Sequence, residues 1–201
     1  MLKTRRDTYI VFDFETSGLD PQKDDIIEIG YLKVVNDVTT QQRSILLKHG
    51  KEISPEIENI VGIKNEHIEI DGASPYETLK AFLQELERVP VIFGHNIIRF
   101  DVKFLEKAAE RYNLTFLLPK KEKYFDTAGI YKAKKLQMTN ERGLSHWDFC
   151  SEVLDTIAPG VRYNVGCACD ELGISREGMI QHRALTDVLL TNEIYKKIKN
   201  I

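Results

Sequence analysis

The sequence predicts a mixed α/β domain, one five-stranded sheet with helices on its faces, and three features carry that expectation. Three apolar, β-branched runs before residue 48 are joined by tight turns, the mark of an antiparallel meander. From residue 54 onward, short apolar strands alternate with segments whose apolar residues recur every three or four positions, as in helices laid against a sheet. A chain of 201 residues, 42% apolar and 29% charged, suits one globular unit with a sizeable core. Residues 1–201 are therefore read as a single domain, since no repeat, linker or low-complexity stretch divides them.

In order, Tyr9 to Leu19 (YIVFDFETSGL) opens with a strand that Thr16, Ser17 and Gly18 terminate. Asp20 to Asp24 is a turn. Ile26 to Val35 is a second strand, with Gly30 inside it, and Gln42 to Leu47 a third, with Asn36-Asp37 as the hairpin turn. Ser54-Pro55-Glu56 starts a short helix with proline in its first turn, ended by Gly62. Ser74-Pro75-Tyr76-Glu77 starts another, with Leu79, Phe82, Leu83 and Leu86 on one face. Pro90 to Gly94 is a short strand. The spacing of Phe100, Phe104, Leu105, Ala108 and Tyr112 then puts Asp101 in the first turn of a helix. Tyr124 to Thr127 is a last strand running into a helix capped near Asp126 or Thr127. Trp147, Cys150, Val153, Leu154 and Ile157 predict a helix ended by Ala158-Pro159-Gly160. Val165–Leu172 and Ala184–Ile198 follow as the closing helices.

A formal net charge of −3 argues against a protein that holds nucleic acid by bulk charge alone. A nucleic-acid enzyme stays open, because carboxylates that bind cations lower the net charge. Cys150, Cys167 and Cys169 are odd in number and lack a second pair at zinc spacing, which favours buried free thiols. The basic start MLKTRR precedes an apolar run that Asp13 breaks, too short for a signal peptide or membrane span. A cytoplasmic setting without a membrane is the expectation. Between Lys120 and Lys135, six lysines against Glu122 and Asp126 give a local charge of +4, either a solvated face or a phosphate-tracking patch.

Side chains two apart on a strand share a face, so Asp13 and Glu15 present oxygens to one spot. Two like charges in an apolar strand are costly unless a cation neutralises them. Asp101 and Asp187 have ordinary explanations taken singly, as a helix-start residue and a solvated helix residue, and Glu28 reads as a surface or supporting residue. Oxygen ligands at this density favour Mg²⁺ or Mn²⁺, and His182, five residues before Asp187, is placed to take a proton from water. Two such ions about 4 Å apart stabilise attacking and leaving oxygens in phosphodiester cleavage.

Together, FDFETSGL (Phe12 to Leu19), GHNIIRFD (Gly94 to Asp101) and HRALTD (His182 to Asp187) resemble the three motifs of the DnaQ-like, DEDDh-type 3′–5′ exonucleases. Ile60 to Glu66 resembles the Gly-Ile-Thr segment of that family, with Lys64 in place of the threonine. The resemblance implies an RNase H-like fold and two divalent ions, Mg²⁺ or Mn²⁺, held by Asp13, Glu15, Asp101 and Asp187, with Asp13 as the bridge. It implies His182 as general base, the Thr16-Ser17-Gly18-Leu19 loop as the seat of the terminal nucleotide, and Asn96 and Phe100 as substrate contacts. The span from Asp126 to Tyr163 is longer than in compact members, which implies a helical insertion around 138–160. FDFETSGL is closer to the proofreading epsilon type than to oligoribonucleases, so single-stranded or frayed DNA is the expected substrate. An exoribonuclease is the alternative, and a non-catalytic nucleic-acid-binding or polymerase-associated module is the reading from another class. A DNA polymerase or a second copy of the chain is the expected protein partner.

Overall fold

The computed structural model describes residues 8–179 and 183–199. Its sheet has the order β3-β2-β1-β4-β5. β1 (Thr8–Thr16) lies at the centre, antiparallel to β2 (Ile26–Val35) and parallel to β4 (Val91–Gly94). β3 (Val38–Leu46) extends the meander at one edge, and β5 (Tyr124–Asp126) lies parallel to β4 at the other. Burial on both faces explains why β1 reads as a nearly continuous apolar run.

β3 begins at Val38, earlier than the expected Gln42. Asn36 and Asp37 both have positive φ, 51° and 60°, and this two-residue turn pairs Val38 directly with Val35. The strand's outer residues are exposed and polar, so apolar patterning did not mark its start.

The parallel step from β1 to β4 needs a crossover, which α1 (Pro55–Val61), α2 (Asn65–Asp71) and α3 (Pro75–Arg88) accompany. Ser54 and Ser74 cap α1 and α3 as expected. α2 was not expected. Its NEHIEID sequence has little apolar periodicity, and Asn65 ties its start down instead: Oδ1 accepts from the Ile53 N–H at 2.8 Å and Nδ2 donates to the Ile53 carbonyl at 2.9 Å. α4 (Asp101–Arg111), α5 (Thr127–Lys135), α6 (His146–Asp155), α7 (Val165–Leu172) and α8 (Ala184–Ile198) complete the fold.

The two faces of β1 bury different layers. Ile10, Phe12 and Phe14 pack with Phe82, Leu83 and Leu86 of α3 and with Phe104 of α4. Tyr9 and Val11 point the other way, to Phe93 and to Val188 of α8. Strand alternation puts Asp13 and Glu15 in that second row, on the α8 side.

α6 stands against α5 and β5 and buries Cys150, Val153 and Leu154. Ile157 does not belong to it: the helix ends at Asp155 and Ile157 is 91% exposed. Trp147 packs against the core, with its ring edge-on to Tyr124 at 5.8 Å. The lysine-rich stretch divides, with Lys120, Lys121 and Lys134 exposed and the others engaged by neighbours. Lys132 is buried, its Nζ donating to the carbonyls of Leu154 and Thr156 at 3.0 and 2.8 Å. Lys123 pairs with Glu87 and Lys135 with Glu171, while Lys121 lies over the Trp147 ring. The cysteines are free thiols, with Cys150 and Cys169 buried but Cys167 only half-buried. Among the described residues, no helix is long and apolar enough to cross a membrane.

Candidate metal centre and nucleotide loop

Asp13 and Glu15 stand at the end of β1, where a register shift after Glu15 breaks the ladder with β2. Asp187 reaches them from the first turn of α8. One oxygen from each of Asp13, Glu15 and Asp187 falls within 4.8 Å of the others, and all three side chains are half-buried. Asp101 lies beside this group rather than inside it. It is 2% exposed, and its Oδ1 accepts from the Phe14 N–H at 2.9 Å, which ties the start of α4 to β1 between the two acidic strand residues.

The electrostatics of this cage call for positive charge. Burial, then the fields of Asp101, Asp187, Glu15 and Glu28, push Asp13 well above the usual carboxylate range. Burial and the carboxylates of Asp187, Glu28 and Asp101 push Glu15 up to about 8, against a lowering by Arg183. Asp101 rises to about 7 through burial, opposed by the Phe14 N–H and its own backbone amide. An all-oxygen donor set whose members resist ionisation together fits a hard divalent cation.

Two further carboxylates hold the cage in shape. Glu28 is fully buried, which decides between its two readings in favour of the supporting one. It faces Glu15 across the β1–β2 ladder and accepts from Ser44 Oγ at 2.5 Å, Arg183 Nη2 at 2.9 Å and the Ala184 N–H at 3.2 Å. That fixes the start of α8 and thereby Asp187. A charged residue inside the run IIEIGYL was the available signal. Gly30 completes the fit: a Cβ there would lie 2.4 Å from the Ala184 carbonyl carbon, so only glycine lets α8 sit this close to β2 opposite Asp13.

Asp126 is the second organiser. It caps α5 as expected, accepting from the Ala128 and Gly129 N–H groups at 2.9 and 3.1 Å. The same carboxylate also accepts from Asn96 and Ile98 N–H at 2.9 and 3.1 Å, fixing the turn that leads to Asp101. Asn96 adopts φ 65° there, and its Oδ1 is buried without a hydrogen-bond partner among the described residues. Phe100 precedes α4 and packs against the core, its ring centroid 4.9 Å from that of Phe104.

The loop after β1 is bound to itself. Thr16 Oγ1 donates to the Gly18 carbonyl at 2.6 Å. The Ser17 N–H donates to the Asp25 carbonyl, and Ser17 Oγ accepts from the Asp25 N–H, both at 2.9 Å. A Cβ on Gly18 would lie 2.3 Å from the Asp24 carboxylate, which itself accepts from the Asp20 N–H. This closed loop holds Leu19 out in solvent at 83% exposure. His182 lies outside the described residues.

A mixed sheet of this order, with acidic residues gathered at the end of its central strand, defines an RNase H-like exonuclease fold. The chain belongs to the exonuclease family, whose RNase T model matches residues 10–195. It is 31% identical over 188 residues to the PolC-type DNA polymerase III of Thermotoga petrophila, covering 94% of this chain but 12% of that polymerase. It is 26% identical over 193 residues to the DNA polymerase III subunit epsilon of Aquifex aeolicus, covering 95% of this chain and 80% of that subunit. Among solved structures it is similar to the zinc-bound E. coli ExoI–ssDNA complex, with TM-score 0.74 and 18% identity over 96% of this chain and 40% of that one.

Proposed function

We propose that this chain is a 3′–5′ exonuclease that removes nucleoside 5′-monophosphates from single-stranded or frayed DNA with two divalent ions, Mg²⁺ or Mn²⁺. The observation that carries the reading is the approach of the Asp13, Glu15 and Asp187 oxygens to within 4.8 Å, with Asp101 beside them. Asp13, Glu15, Asp101 and Asp187 would hold the ions. The ions would supply charge for the attacking and leaving oxygens. His182 takes the proton of the attacking water, a role assigned from the HRALTD motif. The Thr16–Leu19 loop receives the terminal nucleotide, the loop amides at its 3′ hydroxyl and Leu19 against its base; Leu19's exposure on a hydrogen-bonded loop supports this. Asn96 and Phe100 are kept as substrate-side residues, Asn96 on the strength of its unsatisfied buried oxygen.

DNA is favoured by the similarity to the polymerase III chains, and a DNA polymerase or a second copy is the proposed partner. Residues 1–201 are read as one exonuclease domain of a cytoplasmic protein, with 138–160 a helical insertion. The test uses 5′-labelled DNA and RNA of matched sequence with Mg²⁺ or Mn²⁺. Stepwise shortening of DNA is expected from the wild type, none from Asp13→Ala and far less from His182→Ala. Undiminished digestion by either variant would sink the mechanism, and faster digestion of RNA would reassign the substrate.

A further inference from the structure

The cleft that opens at Asp13 and Asp187 continues to the first turn of α7, where Asn164, Gly166 and Arg176 line it. Arg176 is the one cation among its described lining residues. The guanidinium is held by one half-exposed ion pair. Its Nη2 donates to Asp170 Oδ1 at 2.6 Å, and a Cβ on Gly166 would stand 3.2 Å from Nη1, so the missing side chain gives it room against α7. The helix start beneath it is fixed as well. Asn164 Oδ1 accepts from the Cys167 N–H at 2.8 Å, and the preceding Tyr163 carbonyl lies 2.6 Å from Nε2 of the buried His95.

Arg176 shares the cleft with Asp13 and Asp187, and its guanidinium is held on the α7 side by Asp170. The cleft thus places a guanidinium beside the carboxylates, on the α7 wall. We propose that Arg176 is a substrate-binding residue that takes a backbone phosphate on the 5′ side of the scissile one. This rests on the exonuclease reading above. A guanidinium suits that task, since its planar fork gives paired charge-assisted bonds to phosphate oxygens.

The test compares wild type, Arg176→Gln and Arg176→Lys on a single-stranded oligonucleotide and on thymidine 5′-p-nitrophenyl phosphate, whose single phosphate is the one cleaved. In Arg176→Gln the ratio of kcat/KM on the oligonucleotide to that on the ester is expected to fall about tenfold, mostly through KM. The slope of log KM against log salt should drop by about 0.7, the share of one contact on a single strand, while Arg176→Lys keeps most of it. Equal losses on both substrates, or an unchanged salt slope, would overturn the assignment. Wild type inactive on both substrates would instead overturn the exonuclease reading, and this proposal with it.

Discussion

Without metal, the carboxylate cage should make the fold less stable as the pH rises. Two full charges within 4.8 Å repel by at least ~3.5 kcal/mol at an effective dielectric near 20, so Glu15 facing both Asp13 and Asp187 would cost about 7 kcal/mol with all three ionised. Keeping a proton on Glu15 at about pH 7.5, three units above its usual value, costs ~4 kcal/mol. Proton uptake is the cheaper course, in line with Glu15 titrating near 8 and Asp101 near 7. Both values are raised over the unfolded 4.5 and 3.8, so the stabilisation is complete below those and is lost as pH climbs through 7 to 8. Allowing for the part of Glu15 that solvent reaches, the loss is about 3 kcal/mol, or roughly 6–12 °C in Tm for a domain of this size. Thermal unfolding followed by circular dichroism in EDTA between pH 5 and 8 measures it. Asp13→Asn should flatten the decline and melt above wild type at pH 8, and Mg²⁺ should raise the wild-type Tm more at pH 8 than at pH 5. An Asp13→Asn protein that melts below wild type at pH 8 in EDTA would refute the reasoning.

Gly30→Ala should cost activity out of proportion to stability, because its Cβ meets backbone that can yield only by moving α8 and Asp187. A displacement near 1 Å predicts roughly a hundredfold fall in kcat with a stability loss of about 1–3 kcal/mol, and normal turnover would contradict the role given to this contact. Glu28→Gln removes the charge facing Arg183 at the start of α8 and should lose about 2 kcal/mol in urea unfolding, with less activity. A variant as stable as wild type would mean that Glu28 does not set the helix. Asp126→Ala strips the acceptor from four backbone N–H groups and should cost roughly 3 kcal/mol, whereas Asp126→Asn, which keeps an acceptor oxygen, should cost less. Equal losses from the two would refute the hydrogen-bond account.

The sequence made legible what depends on local periodicity and on residues with few alternative uses. The β1–β2 hairpin ladder, the serine-capped helices, the pairing of Asp13 with Glu15 and the cap at Asp126 all follow from spacing. α2 escaped because Asn65 anchors it through contacts with Ile53 and Glu58, outside the window in which periodicity is read. Glu28's role stayed open between surface and support for a similar reason: its neutralising partner, Arg183, is 155 residues away. The lysine-rich stretch stayed open between two readings for a related reason. Charge counting sees six cations, but whether one faces solvent or sits under α6, as Lys132 does, is settled by a neighbouring helix.

The bonds between Glu28 and the start of α8 span up to 156 residues, and that distance gives the protein an order of assembly. On the ribosome, β1 to β5 emerge first, carrying Asp13, Glu15 and Asp101 but lacking Asp187. Until α8 arrives, the row of Tyr9, Val11 and Phe93 also has no cover from Val188. A nascent chain stalled before residue 184 should neither take up Mn²⁺ nor trim a 3′ end, whereas one released at full length should do both; trimming by the stalled chain would show that three carboxylates suffice. α8 thus closes the carboxylate cage from the far end of this sequence, long after the strand that carries Asp13 and Glu15.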